Sequence, residues 1–494
     1  MTELLIHDEW VPADGSSIHE LIDPATRRLL EPIRCASSAQ RQRALEAARA
    51  ALNGWMTRAA DDRAVLIHAI VDEIRQAAGA LAERQAIESG QPLRECQDLV
   101  ANAIRRLRAT AGANQQPLGT RSHGAPGSRV PPIGLSDALA GLGHAPADDQ
   151  APRGVPSYLA PNRAFPSAHA RVLPRHSLWP FWVEVLGSIA AGSTVVCELP
   201  ADRALTALAI GHYAHRLPPG VLNVVTIEPA ANKFCDPTTS GQATAAGKAT
   251  APGQLAAADR ATASRQPAAA DAATDFVFVG QDADLDFAVA GATALRLYNT
   301  GQRPGQSARI YVAAPVAYRF ADRLHEYLAF LEAGDPRKPI TDLGPLHGEA
   351  ALHRATEQIG DALKRGALVK LGGRTYQPWG LRGYYLQPTL LVEGTAEERV
   401  PHESISGPVV IVSPTTDIGS ALREGQNPRR LAAFTGQHEK LERSLRAASF
   451  QPRISAYTPM VERAWKQPDA FELELIEAPQ LDWFPYENRR GLKL

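Results

Sequence analysis

Cysteine is scarce in this chain: Cys35, Cys96, Cys197 and Cys235 are the only four among 494 residues, and none forms a C-x-x-C pair. Such spacing argues against a disulfide framework and a metal site, so each thiol is expected to be a small apolar filler. Neither sign of charge dominates, since 52 lysines and arginines face 53 aspartates and glutamates. A near-neutral chain without basic runs has no field to draw nucleic acid or an anionic membrane. Long hydrophobic runs are missing too. No window approaches the roughly 20 apolar residues that a bilayer crossing requires, and "MTELLIHDEWVPADG" has no basic segment followed by an apolar one. The expected location is the cytoplasm. G-x-S-x-G, H-E-x-x-H and P-loop patterns are absent as well. The fragment "GLGH", Gly141 to His144, has no strand before it and reads as loop.

What is present suits two or three domains, given 494 residues and 53.1 kDa. From Ala39 to about Gly112 the pattern is helical: Leu66, Ile70, Ile74, Ala77 and Leu81 recur at three- and four-residue spacing, as do Val100, Ile104 and Leu107. "ESGQP", Glu88 to Pro92, breaks one helix from the next. Gly and Pro crowd the stretch from Asn114 to about Pro156, which reads as an extended excursion. A helical pattern follows in "LWPFWVEVLGSIAAG", then an apolar run Thr194 to Cys197, a helix in "RALTALAIGHYAHRL", and a strand in "VLNVVTI". Strand, helix, strand in that order predicts a parallel crossover within an open α/β sheet. Across Asp236 to Asp275, Leu255 is the one large apolar residue, which predicts a low-complexity flexible segment. "FVFVG" and "ARIYVAA" read as strands, with "LDFAVAGATALRLYNTG" as the helix between them.

These phrases resemble the NAD(P)-dependent aldehyde dehydrogenase superfamily. "AAGSTVVCELPADRALTAL", "LPPGVLNVV", "DADLDFAVAGA", "NTGQ", "GDPRKPITDLGPL", "GALVKLGG", "GYYLQPTLL", "ESISGPVV" and "NPRRLAAFT" follow in the family's order and at its spacing. The resemblance implies an α/β fold of aldehyde dehydrogenase type: a Rossmann-like cofactor domain, a second α/β domain and a small oligomerisation flap. On it, 1–113 and 157–275 form the Rossmann-like domain, with 236–275 its flexible segment. The catalytic-type domain spans 276–459, and 114–156 with 460–494 make the flap and tail.

Fold does not carry function, so the family's site is compared position by position. Its cysteine nucleophile stands two residues after Gly-Gln, and here Gly301 and Gln302 are followed by Arg303 and Pro304. Proline has neither a thiol nor a backbone N–H, so one change removes the nucleophile and an oxyanion donor. The family's asparagine donor falls on Arg175, and no Glu-Leu-Gly-Gly motif supplies a general base. The lysine that bonds the adenosine ribose is replaced by Glu198, and the acidic residue three further on by Ala201. A carboxylate near a pyrophosphate is repelled by on the order of a few kcal/mol. Ile227 and Pro229 take the place of glycines that admit the phosphates, and the nicotinamide-ribose glutamate and its phenylalanine fall on Ser404 and Ser406. Glu403 is one place out of register.

The resemblance and these departures together imply an aldehyde dehydrogenase-like pseudoenzyme that binds no cofactor and acts as a structural or regulatory subunit. Its expected partners are copies of itself or an intact homologue. The alternatives are an NAD(P)-dependent aldehyde dehydrogenase with relocated catalytic groups, using NAD or NADP, and a small-ligand sensor. Three further readings are bland. Arg175 and His176 form a solvated pair, Cys197 is inert within a buried strand, and Trp179, Phe181 and Trp182 pack the core. Cys235 borders the flexible segment without a histidine beside it, and Trp483, Phe484 and Tyr486 divide between interface and tail packing.

Overall fold

The computed structural model describes residues 2–113, 167–174, 178–229, 275–303, 306–394, 405–424, 430–437, 441, 443, 453–457 and 473–476. Pro304, Arg175, His176, Glu403, Ser404 and Cys235 lie outside these residues, as do the expected flap 114–156, "GLGH", the segment 236–274 and the aromatics Trp483, Phe484 and Tyr486.

Two hairpins open the chain, β1 (Glu3–Ile6) with β2 (Glu9–Pro12), and β3 (Ile18–Ile22) with β4 (Leu29–Arg34). Helix α1 (Ser38–Met56) begins with a capping box: Gln40 N donates to the Ser37 hydroxyl, and Gln40 Oε1 accepts from Ser37 N. That Gln40 side chain also donates to Pro12 O and accepts from Asp14 N, so a helix cap ties the first hairpin to α1. Helices α2 (Ala60–Gln76), α3 (Ala78–Ser89) and α4 (Leu93–Ala113) follow. Gly90 ends α3 in the left-handed region at φ 75°, where the sequence reading placed the break.

Next come β5 (Ala168–Val172), α5 (Leu178–Ala190), β6 (Thr194–Pro200), α6 (Leu205–Gly211) and β7 (Leu222–Ile227). They complete a five-stranded sheet in the order β2-β1-β7-β6-β5, with β5, β6 and β7 parallel. Trp179, Phe181 and Trp182 are buried in the core between this sheet and α2 to α4. Two elements differ from expectation. β6 runs three residues beyond Cys197, because Glu198 to Pro200 still pair with Val225 to Ile227. The helix expected over "RALTALAIGHYAHRL" is broken into a 3-10 turn, the short α6 and a second 3-10 turn at His212–Arg216. The half-buried Glu88 carboxylate caps α6, accepting from Leu205 N and Thr206 N at 2.7 and 2.9 Å.

The second half is an eight-stranded sheet in the order β10-β11-β12-β9-β8-β13-β14-β15. Its elements are β8 (Asp275–Val279), α7 (Leu285–Leu297), β9 (Arg309–Ala313), α8 (Ala314–Ala329), α9 (Glu349–Lys364), β10 (Leu368–Leu371), β11 (Thr389–Val392), β12 (Val409–Thr415), α10 (Ile418–Glu424), β13 (Arg430–Phe434), β14 (Arg453–Tyr457) and β15 (Leu473–Ile476). All neighbours are parallel except β10 with β11. Asp284 caps α7 by accepting from Asp286 N and Phe287 N. Within the expected tail 460–494, residues 473–476 form the edge strand β15. Among the described residues no helix is long and apolar enough to cross a membrane.

Candidate functional site

The "YNTG" phrase folds into a sharp turn. Helix α7 stops at Leu297, after which Asn299 (φ 53°, ψ 41°) and Thr300 (φ 54°, ψ 31°) both take left-handed geometry, and Gly301 follows at φ 69°. Left-handed non-glycine residues cost on the order of 1 kcal/mol each or more, so surrounding contacts must hold them. Those contacts come from three directions. The Asn299 N–H donates to Glu95 Oε2 of α4 at 2.8 Å. Thr300 Oγ1 accepts from Gly344 N at 2.9 Å, and Gln302 Oε1 accepts from His347 N at 2.8 Å while its Nε2 donates to Pro345 O at 3.2 Å. From the third side Gly407 N donates to Gly301 O at 3.1 Å. A Cβ on Gly301 would collide with the Gly407 carbonyl, which explains glycine there.

Arg296 lies at the centre of this arrangement, 2 % exposed. Its guanidinium donates to Val409 O (2.8 Å), Gly301 O (3.0 Å), Gly407 O (2.9 Å) and Ile405 O (2.5 Å). Burial pulls its pKa down to about 9, still above neutrality, so a charged group is held by carbonyls of the turn, of the 405–407 segment and of the start of β12. Sequence reading missed Arg296, which looks like an ordinary helix-face arginine in "TALRLY". It also missed Glu95, one acidic residue among many on α4. Beside the turn, Glu95, Thr293, Tyr298, Tyr327 and Asp342 line a cavity of about 50 Å³. Burial pushes Glu95 up to about 8, against the opposing bonds from Gln91 and Asn299 N.

The expected site positions divide between the two halves. Gln302, Gly301 and Ser406 stand with Arg296 at the turn; Pro304 and Ser404 lie outside the described residues. Glu198, Ala201, Ile227 and Pro229 stand at the carboxyl ends of β6 and β7. Ala201 is buried, while Glu198, Ile227 and Pro229 are half-buried. Glu198 Oε1 accepts from Arg41 of α1 at 2.6 Å (NH2) and 3.1 Å (Nε). The repulsion expected from a bare carboxylate therefore needs correction, since the Arg41 cation offsets the charge of Glu198.

The three described thiols lie inside the fold. Cys96 and Cys197 are fully buried and Cys35 is 3 % exposed, and burial raises all three above the ordinary thiol value. Glu95 raises Cys96 further.

The sequence model of the aldehyde dehydrogenase family matches residues 10–136 and 179–437. The chain belongs to the aldehyde dehydrogenase family. It is similar to the NADP(+) succinate-semialdehyde dehydrogenase of Escherichia coli, 26 % identical over 82 % of this chain and 79 % of that protein. It is also similar to the glutarate-semialdehyde dehydrogenase of Pseudomonas aeruginosa, 28 % identical over 82 % of this chain and 78 % of that one. The fold matches a solved lactaldehyde dehydrogenase with TM-score 0.69, 19 % identity, and coverage of 92 % of this chain and 90 % of the other. An aldehyde dehydrogenase C mutant from Pseudomonas syringae, solved with NAD+ and octanal, matches with TM-score 0.68 and 21 % identity over 94 % and 90 %. These findings fix the superfamily and the mixed α/β, Rossmann-like fold. Their names are those of dehydrogenases, so they favour the working-enzyme alternative over the silent one and lend no support to a chain without cofactor.

Proposed function

We propose that this aldehyde dehydrogenase-family chain does not run the family's thiol-dependent oxidation and serves as a structural or regulatory subunit, assembled with itself or with an intact relative. One observation carries the reading: proline stands at position 304, and the thiols described elsewhere are buried, which raises each above the ordinary thiol value. Covalent attack on an aldehyde carbon requires an accessible thiolate, and losing a nucleophile typically costs about 10⁴–10⁶ in rate. On this reading the sheet of β5 to β7 belongs to a vestigial cofactor domain, with Glu198, Ala201, Ile227 and Pro229 in place of the family's contacts. The Arg175 and Ser404 replacements add to it from the sequence.

The second reading is oxidation of an aldehyde with NAD or NADP by relocated groups. The relatives favour it, being named as dehydrogenases across four-fifths of the chain, and the Arg41–Glu198 pair removes part of the charge barrier to a dinucleotide.

One assay separates them. Purified protein is mixed with NAD or NADP and an aldehyde panel that includes succinate and glutarate semialdehydes. The first reading expects no reduced nicotinamide and no rise in melting temperature with either dinucleotide, because a ligand that binds the native state must stabilise it. Steady turnover would establish the second reading instead.

A further inference from the structure

A buried line of side chains runs from the core to the left-handed turn and ends on Glu95. The Trp179 indole N–H donates to Gln85 Oε1 at 2.7 Å, Gln85 Nε2 to Gln91 Oε1 at 3.0 Å, and Gln91 Nε2 to Glu95 Oε2 at 2.9 Å. From the other end the Asn299 N–H reaches that same Glu95 oxygen at 2.8 Å. An indole can only donate, so Trp179 fixes the orientation of both amides, and every donor in the line points toward Glu95. Oε2 thus accepts twice, which leaves Oε1 to carry the proton of the neutral acid. Glu95 also lines the cavity of about 50 Å³, which gives that proton a route of exchange.

We propose that Glu95 is a proton-operated latch on the Asn299–Thr300 turn: with its proton on, the carboxyl keeps the turn and the line to Trp179 closed, and losing that proton loosens the turn toward water. The turn itself supplies the spring, since two successive non-glycine residues sit in left-handed geometry and Asn299 is tied by its N–H to this one carboxyl.

The groups around Glu95 set the direction. Its own helix brings Arg94, Cys96 and Asp98; the turn brings Tyr298 and Arg303; α8 brings Tyr327; and the loop after it brings Asp342. Helices α3 and α5 contribute the neutral Gln85 and Trp179. Burial outweighs the rest: the donors Gln91 and Asn299 N favour the carboxylate, Asp98 opposes it and Arg303 favours it, and the carboxyl still holds its proton up to about 8. If the turn opens, the carboxyl meets water and returns toward its ordinary value of 4.5. The closed form therefore binds the proton more tightly than the open one. Opening becomes easier as pH rises between those two values and levels off above about 8.

Hydrogen exchange at the Asn299 amide and the resonance of the Trp179 indole N–H, in protein with isotopically labelled tryptophan, test the latch at its two ends. After correction for intrinsic base catalysis, exchange at Asn299 is expected to speed up by roughly tenfold or more between about pH 6 and pH 8. The Trp179 resonance, identified through Trp179→Phe, is expected to shift with a midpoint near 8. Glu95→Gln should abolish both responses. Gln91→Met interrupts the line but keeps the carboxyl, so it should silence the indole and leave the pH response of the Asn299 amide. Responses that persist unchanged in Glu95→Gln overturn the latch, as does wild-type protein that is flat at both ends. Were Glu95→Gln not to fold, the contrast between the two ends in Gln91→Met decides alone: an indole that still titrates overturns the proposal.

Discussion

Two arginines mark two regions of the site. Arg296, beneath Gly301, is buried and shares its guanidinium among four backbone carbonyls from the turn, the 405–407 segment and the start of β12. Arg41, at the rim beyond β6, keeps a side chain 49 % exposed and meets the single carboxylate of Glu198. The two regions respond differently to substitution. Under the turn each group has several partners inside the fold, so changing one strands the others. At the rim, the Glu198 carboxylate has one cationic neighbour, Arg41 of α1, which offsets its charge.

The most direct way to break this comparison is Arg296→Met. It leaves the Gly301, Ile405, Gly407 and Val409 carbonyls without their shared donor in a buried place, and removing one side of such an arrangement costs about 3–5 kcal/mol. Urea denaturation measures it. A loss of about 1 kcal/mol or less would put Arg296 in the same class as Arg41.

Next in size is Glu95→Gln, whose effect depends on pH. Because the folded state holds the Glu95 proton up to about 8 against an ordinary 4.5, it binds more protons than the unfolded chain between those values. The wild-type protein's stability from this group is complete below the ordinary value and is lost as pH rises toward about 8. Glutamine keeps an uncharged acceptor on the line to Asn299. The variant is therefore expected to match wild type near pH 5 and to exceed it by roughly 2–3 kcal/mol above pH 8. Denaturation at the two pH values tests the sign as well as the size.

Gln302→Leu sharpens the comparison from a neutral residue. Its amide donates to Pro345 O in a buried place and accepts from His347 N in a half-buried one, and both backbone groups would lose that partner, at a cost of about 2 kcal/mol. The difference from Arg296→Met measures how much of the hold on the turn comes from charge.

Much of this scaffold could be read from the sequence, and the reasons for the gaps are specific. Ile70 and Ile74 keep helical spacing because a packed helix buries one face, and both are in the core. Cys197 falls in an apolar run that predicts a buried strand, and it is fully buried there. The left-handed pair Asn299–Thr300 was not visible, since asparagine and threonine also fit a helix end, and only partners far along the chain, Glu95 and Gly344, select that geometry. Arg296 and Glu95 escaped for the same reason: an isolated charge in an amphipathic helix reads as solvated until the fold shows what encloses it. Arg41 stands 157 residues from Glu198, so no local pattern could announce their pairing. The sequence singled out Glu198 only through a resemblance, and its charge partner needed the structure.

The smallest effect is expected at that pair, and its smallness is the sharpest support for the contrast. Glu198→Gln removes a charge from a contact in which Arg41 is half exposed, and such pairs contribute about 0–1 kcal/mol because water solvates the freed cation nearly as well. Stability should therefore change by no more than about 1 kcal/mol, and by less at high salt, where exposed charges are screened. Glu198→Lys carries the same logic to the cofactor. If one charge were all that kept a dinucleotide out, restoring the family's lysine would give a melting shift with NAD or NADP. Ala201, Ile227 and Pro229 would still differ from the family's contacts, so the silent reading expects no shift. A shift in Glu198→Lys with none in wild type would locate the barrier in one side chain and show that the pocket beneath it has kept its shape.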